Sequence, residues 1–274
     1  MSGGSRLRQG PHLRIEIWGT RPAQPELLFC VCVSKDGNSN RTMTNRTTED
    51  SQRIAARVAG FTLLLLMVSG FAGMFVQPAH SIVDGAAATA RNILDRERAF
   101  RIGLACEFVM LSCDVVLALA LFALLKPVNS TLALLGSFWR VANAVVLGVG
   151  VAANLVGLDL LGNPHYISLL SADQLHAIAM MFFDLHSRVS LMGLMFFCCG
   201  AGVHSWLLWR SGYIPRVISG LYLFASVEML LCCFVFLVFP ASRAVLDPGF
   251  VVPDFFAELS AALWLAFRGV KLTE

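Results

Sequence analysis

CDVVLALALFALLKPVNSTLALLGSFWR, residues 113–140, is the stretch on which the fold turns. It is unbroken apolar sequence from Val115 to Leu125, is punctuated by Lys126-Pro127-Val128-Asn129, and becomes apolar again as far as Trp139. A spanning β-strand would alternate apolar and polar residues over about ten positions. A continuous apolar run can satisfy its backbone polar groups in lipid only as helix. The stretch therefore reads as two transmembrane helices joined by a tight turn, with Asp114 and Arg140 carried inside the apolar sequence.

The rest of the chain repeats this pattern. Of 274 residues, 57% are hydrophobic and 14% charged, against about 45–50% and 25% in a soluble domain. The excess collects into blocks of the roughly 20 residues that a hydrocarbon layer of about 30 Å requires. Six spans are expected, near 56–76, 102–125, 132–157, 178–209, 214–239 and 254–268. The fold class is all-α, a polytopic integral membrane bundle of about six helices, with residues 43–274 as a single transmembrane domain. The sixth span is the weakest, because its apolar core runs only from Leu259 to Phe267 between Glu258 and Arg268; it reads as tilted or partly interfacial. In the third span, Gly148 with Ala152 and Ala153 with Gly157 place small residues four apart, a spacing that lets helix backbones approach.

Residues 1–42 stand apart. They hold six Lys or Arg, three Pro and one short apolar run, LLFCVCV (27–33), too short to span. They read as a disordered leader or as the product of an upstream start, since Met43 opens a polar lead carrying Arg53 and Arg57 that suits a membrane protein. Lys and Arg counted near the span ends favour a cytoplasmic amino terminus. Arg46, Arg53, Arg57, Lys126, Arg210, Arg216, Arg268 and Lys271 then lie inside, against Arg91, Arg96, Arg98, Arg101 and Arg243 outside. The first outer loop, DGAAATARNILDRERAF (84–100), reads as a surface helix capped by Asp84. The expected location is a bacterial inner (cytoplasmic) membrane. The expected partners are the lipid bilayer and a second copy of the chain. The net charge of +3 shows no basic patch interleaved with aromatics, so nucleic acid is not expected.

Depth sorts the ionisable residues inside the spans. At 1.5 Å per residue, Asp114 lies about 18 Å from Lys126, near the middle of the layer, and Glu228 lies as far from Arg216. Arg140 and Asn143, counted from the turn at Asn129, fall within about 6 Å of the level of Asp114, a gap that an arginine side chain covers. Charges at such depth are costly and normally face partners inside a bundle. Asp114, Arg140, Asn143 and Glu228 are therefore the candidate polar cluster, with Arg140 expected to pair with Asp114. Asp184, His186 and Arg188 form a second candidate group. Arg188 lies about 33 Å from Arg210, which puts these three at the outer boundary, with Asp184 and Arg188 spaced for an i,i+4 pair and His186 placed to sense pH.

Other chemistries find little support. Six of the eight cysteines lie in spans, and no pair has zinc-ligand or thioredoxin spacing. His186 and His204 share a helix about 27 Å apart and cannot ligate one iron. No hydrolase or metalloprotease motif is present. No catalytic, cofactor or metal residues are expected.

Four pieces carry a resemblance: ARVAGFTLLLLMVSGF (56–71), DGAAATARNIL (84–94), residues 113–140, and FFDLHSRVSLMGLMFF continuing to WRSGYIPRVISGLYLFAS (182–226). In this order they are similar to the bacterial membrane family catalogued as domain of unknown function 4386, over roughly residues 50–270. The resemblance implies a multi-pass architecture and no assigned activity. Two function classes follow from the residues. One is a non-enzymatic regulatory or envelope-structural component whose polar cluster only holds helices in register. The other is a small proton-linked transporter in which Asp114 and Glu228 titrate against Arg140. The first is favoured, because no span shows the paired Gly or Pro interruptions of many transporters. An intramembrane enzyme comes third.

Overall fold

The computed structural model describes residues 37–76, 85–242 and 251–271, with side chains from residue 49 onward. The chain divides into two units, Met1–Arg41 and Thr42–Glu274. The expectation for residues 1–42 falls almost wholly outside the described residues.

Every described element is helical. The elements run α1 (Gly37–Val76), α2 (Ala86–Asp95), α3 (Glu97–Leu125), α4 (Ser130–Gly162), α5 (Pro164–Leu169), α6 (Ala172–Ser211), α7 (Arg216–Val238), a 3₁₀ turn (Pro240–Ser242) and α8 (Val252–Leu263), which runs on into a π turn (Trp264–Arg268). Five are long and apolar enough to cross a membrane: α1 from Glu49, α3, α4, α6 and α7. The sixth expected span is a 12-residue α-helix with a five-residue π extension, about 25 Å in length.

The opening stretch folds as the hairpin α3–α4. Lys126 N–H still bonds Phe122 O at 2.8 Å, and Asn129 N–H returns to Leu125 O at 3.2 Å. Asn129 then caps α4, its Oδ1 accepting from Leu132 N–H at 3.0 Å and so satisfying a first-turn donor.

α4 and α6 form the closest seam, and it is built on glycine. A Cβ at Gly136 would lie 2.7 Å from His204 Nε2, one at Gly150 would lie 3.0 Å from His186 Nδ1, and one at Gly157 would lie 2.8 Å from Phe183 Cε1. From α6, a Cβ at Gly193 would lie 3.1 Å from Asn143 Oδ1, and one at Gly200 3.0 Å from Gly136 O. Positions 136, 143, 150 and 157 of α4 thus face α6 at a seven-residue repeat, and the two helices run antiparallel. The four-residue pattern read from the sequence is corrected on this point: Gly157 lies in the seam, but Gly148 opens onto empty space.

The expected surface helix over 84–100 is two helices. The backbone breaks at Arg96, φ −120°, which ends α2 and begins α3, and α2 packs against α4 and α6. α2 buries Thr89, Ala90 and Ile93, the last two in a cluster with Phe100, Leu158, Leu161 and Ala179. α6 begins with a reciprocal cap, Gln174 N–H to Ser171 Oγ at 3.4 Å and Ser171 N–H to Gln174 Oε1 at 3.1 Å. It ends at Gly212, whose φ of 66° suits the left-handed helix stop. Its 40 residues span about 60 Å, twice the hydrocarbon thickness, so part of α6 stands outside the apolar layer.

The two ends of the bundle are distinct. Gln52 Nε2 donates to Tyr213 Oη at 3.1 Å, and Lys271 N–H donates to Tyr213 O at 3.1 Å. The start of the α1 span, the α6–α7 turn and the end of α8 therefore meet at one end. α8 returns to that end despite its length. α1 lies directly on its π turn, where Gly60 is required: a Cβ there would collide with Ala266 N and lie 2.7 Å from Ala266 Cα.

Candidate functional site

Arg140 is fully buried on α4. Its Nε donates to Asp114 Oδ1 on α3 at 2.7 Å. Asn143, three residues on and on the same side of α4, donates Nδ2 to Asp114 Oδ2 at 2.8 Å. Both oxygens of Asp114 are thus held by α4. One turn before Arg140, Ser137 Oγ donates to Ala118 O at 2.9 Å and fixes the register of the two helices. Gly200 of α6 makes room for the arginine stem, since a Cβ there would lie 3.1 Å from Arg140 Cγ. The guanidinium sits 5.1 Å from the ring centroid of Phe197, also on α6, a cation–π contact.

The far side of the guanidinium meets a second carboxylate. Arg140 Nη2 is 3.9 Å from Glu258 Oε1 on α8, and Tyr222 Oη of α7 donates to the same oxygen at 3.2 Å. Asp254, one turn before Glu258, is buried on the same face and lies within electrostatic range of Glu258, Arg140 and Glu228. Glu228 is half-buried on α7, its Oε1 accepting from Cys232 Sγ at 3.2 Å. The structure therefore brings Asp114, Arg140 and Asn143 together, while the acid across the arginine is Glu258 and not Glu228. Glu228 lies six residues beyond Tyr222, about 9 Å along α7. α8 starts at Val252, well before the apolar run that begins at Leu259. Glu258 is therefore in its second turn and level with Arg140, where the sequence pattern had placed it at a helix end. Several atoms of this cluster are buried without a hydrogen bond: Arg140 Nη1 and Nη2, Asn143 Oδ1, Asp254 Oδ1 and Glu228 Oε2.

Asp184, His186 and Arg188 do not act as one group. At about 100° per residue, 184 and 188 share a face and 186 points the opposite way. Asp184 and Arg188 are exposed, and they form no ion pair with each other among the described residues. His186 turns inward against Gly150, with Nε2 3.9 Å from Glu107 Oε1 of α3. The two line a pocket of about 210 Å³ with Ser190, Leu111 and Leu147. Leu111 is one turn from Asp114 and Leu147 one turn from Asn143, so the floor of this pocket lies directly above the buried cluster. Sequence reasoning missed Glu107, Tyr222, Asp254, Glu258 and Phe197. Two spacings carried a signal: Glu107 lies two turns from Asp114 on one face, and Asp254 lies four residues from Glu258 on another.

The sequence profile of the family described as domain of unknown function DUF4386 matches residues 58–269. The chain belongs to the DUF4386 family. The match runs from within α1 to the end of the π turn, so the DUF4386 region contains every residue of the buried cluster. An archaeal relative, described as "Uncharacterized protein" of Archaeoglobus fulgidus, is 24% identical over 171 residues, covering 61% of this chain and 83% of that one. No solved structure matches. What is established is a multi-pass membrane protein of the DUF4386 family.

Proposed function

We propose that the protein is a small proton-linked transporter in which the Asp114–Arg140–Glu258 cluster, continued by Asp254 and Glu228, exchanges a proton near the middle of the bundle. The observation that carries this reading is a mismatch of charge. One guanidinium faces two carboxylates directly, and two further acids continue the line along α7 and α8. A clasp that only holds helices in register needs one acid for one arginine, and each additional ionised group at this depth is expensive. Surplus carboxylates are better suited to groups that take and release protons. The pocket at Glu107 and His186 supports the reading, because it offers a mainly apolar approach that carries two ionisable side chains and stops one turn short of Asp114 and Asn143.

Among the described residues, the other titratable groups facing the cluster include Tyr222 of α7, hydrogen-bonded to Glu258, His204 of α6, buried one turn from Arg140 on the neighbouring seam, Cys232 on Glu228, and Cys198 of α6, which faces Asp254. The membrane is taken to be the cytoplasmic one, with the Lys126 and Arg216 end inside and a second copy of the chain as partner. In the remaining reading the protein is a regulatory or envelope-structural component and the cluster is a clasp.

Infrared difference spectra of the protein in lipid bilayers, recorded across the neutral pH range, test the proposal without a known substrate. A protonated-carboxyl band that titrates in the wild type and is lost or displaced in Glu258→Gln is the expected result. In cells lacking the gene, Glu258→Gln should also fail to restore the deletion phenotype although the variant is present in the membrane. A spectrum with no titrating carboxyl, together with full restoration by Glu258→Gln, would leave the clasp as the better account.

A further inference from the structure

At the end of the bundle opposite Lys126 and Arg216, α6 and α7 part to leave a groove of about 510 Å³. Its floor is apolar, formed by Leu191, Met192 and Met195 of α6 with Phe236 and Leu237 of α7. Its mouth carries Asp184, Ser187 and Arg188. We propose that this groove binds one glycerophospholipid with a zwitterionic, primary-amine headgroup, the phosphate on Arg188 and the ammonium on Asp184.

Depth places the groove at the membrane boundary along two independent paths. Arg188 lies 22 residues from Arg210 on α6, about 33 Å. α7 covers the same distance in its 23 residues before Pro240 ends it at the groove. An apolar slot at that level faces acyl chains, and the two charges stand where headgroups lie. Asp184 and Arg188 project from one face of α6 about 6 Å apart along the axis. Both are exposed, and neither is held in an ion pair among the described residues. Side by side above an apolar floor, they present the charge pattern complementary to a zwitterionic amphiphile.

The chemistry ranks the candidate lipids. A guanidinium binds phosphate oxygens through paired N–H donors. A primary ammonium gives Asp184 both charge and hydrogen bonds, whereas a trimethylammonium group gives charge alone. An anionic glycerol headgroup offers Asp184 no cation and adds repulsion. The apolar floor by itself would not discriminate, since lipid tails are as apolar as the side chains they touch. The order expected is phosphatidylethanolamine, then phosphatidylcholine, then phosphatidylglycerol. It holds whether or not the buried cluster moves a proton.

Native mass spectrometry of the full chain released from detergent, with these three lipids present in equal amounts and with the same acyl chains, reads the order directly. The wild type should retain a single phosphatidylethanolamine at several-fold higher occupancy than either competitor. Asp184→Asn should lower phosphatidylethanolamine most and phosphatidylcholine by the smaller amount that charge alone supplies, so that the gap between the two closes. Arg188→Gln should lower both zwitterions. Both positions are exposed, so melting temperatures equal to wild type serve as the folding control. Equal retention of the three lipids, a preference for phosphatidylglycerol, or an ethanolamine preference that survives Asp184→Asn would each overturn the assignment.

Discussion

Arg140 is the largest fully buried side chain among the described residues, and at a level where water is scarce its charge must be answered within the bundle. Asp114 answers it at 2.7 Å, with Asn143 holding the second carboxylate oxygen. Breaking such a pair costs more than deleting it, because the abandoned partner remains a buried charge. Arg140→Leu should therefore destabilise the protein by about 3–5 kcal/mol, read as a lowered melting temperature in detergent. The double variant Arg140→Leu with Asp114→Leu should recover much of that loss, although Glu258 then loses its cation as well. An unchanged melting temperature in the single variant would mean that the pair is not formed. At this scale the sequence is informative where depth decides: Asp114, Arg140 and Asn143 lie on two helices joined by a short turn, and counting residues from that turn aligns them. It is uninformative where helix rotation or a distant helix decides. Asp184, His186 and Arg188 look like one motif in sequence, yet a period of 3.6 residues sends His186 inward and the other two out. Glu258 reaches Arg140 only because α8 folds back along α7, a long-range fact that no local pattern carries.

Among the elements, α4 and α6 are held together by what their glycines omit. The seven-residue set Gly136, Asn143, Gly150 and Gly157 lets the helices approach until His204, His186 and Phe183 occupy the space that Cβ atoms would fill. This close approach also sets Arg140 against Phe197 and Asn143 beside Gly193, so the seam and the site share one geometry. Gly136→Ala must push His204 or part the helices, and the cost expected for such overpacking is about 1–3 kcal/mol. Gly148→Ala, on the same helix but facing open space, should leave stability unchanged or raise it by up to about 1 kcal/mol, since alanine is the better helix former. Melting curves of the two variants in the same detergent make the comparison, and a larger loss for Gly148→Ala would overturn the seam. The sequence announces that α4 carries small residues but not which of them face a neighbour. Gly148 and Gly150 are two apart and differ completely in surroundings, and only the position of α6 separates them.

Across the whole molecule, the polar connections sort the bundle into two unlike ends, and this sorting makes the topology testable. The α3–α4 turn, the α6–α7 turn and the end of α8 carry Lys126, Arg210, Arg216, Arg268 and Lys271, and contacts through Tyr213 tie the start of the α1 span to the same end. α5 and the beginning of α6 belong to the other end. In a variant without native cysteines, Thr131→Cys and Val217→Cys place thiols at the basic end, while Ser168→Cys places one at the opposite end, all three at exposed positions. A membrane-impermeant maleimide applied to intact cells should label position 168, and positions 131 and 217 should react only after permeabilisation, because basic loops are retained on the cytoplasmic side. The outcomes separate fold from orientation. If 131 and 217 react together from outside and 168 does not, the helix arrangement stands and the bundle is inverted. If 131 and 217 fall on different sides, α4 and α6 do not both cross as arranged here, and the antiparallel seam that positions Arg140 cannot exist. The fold is thus most exposed to disproof at two residues that lie outside the site and take no part in its chemistry.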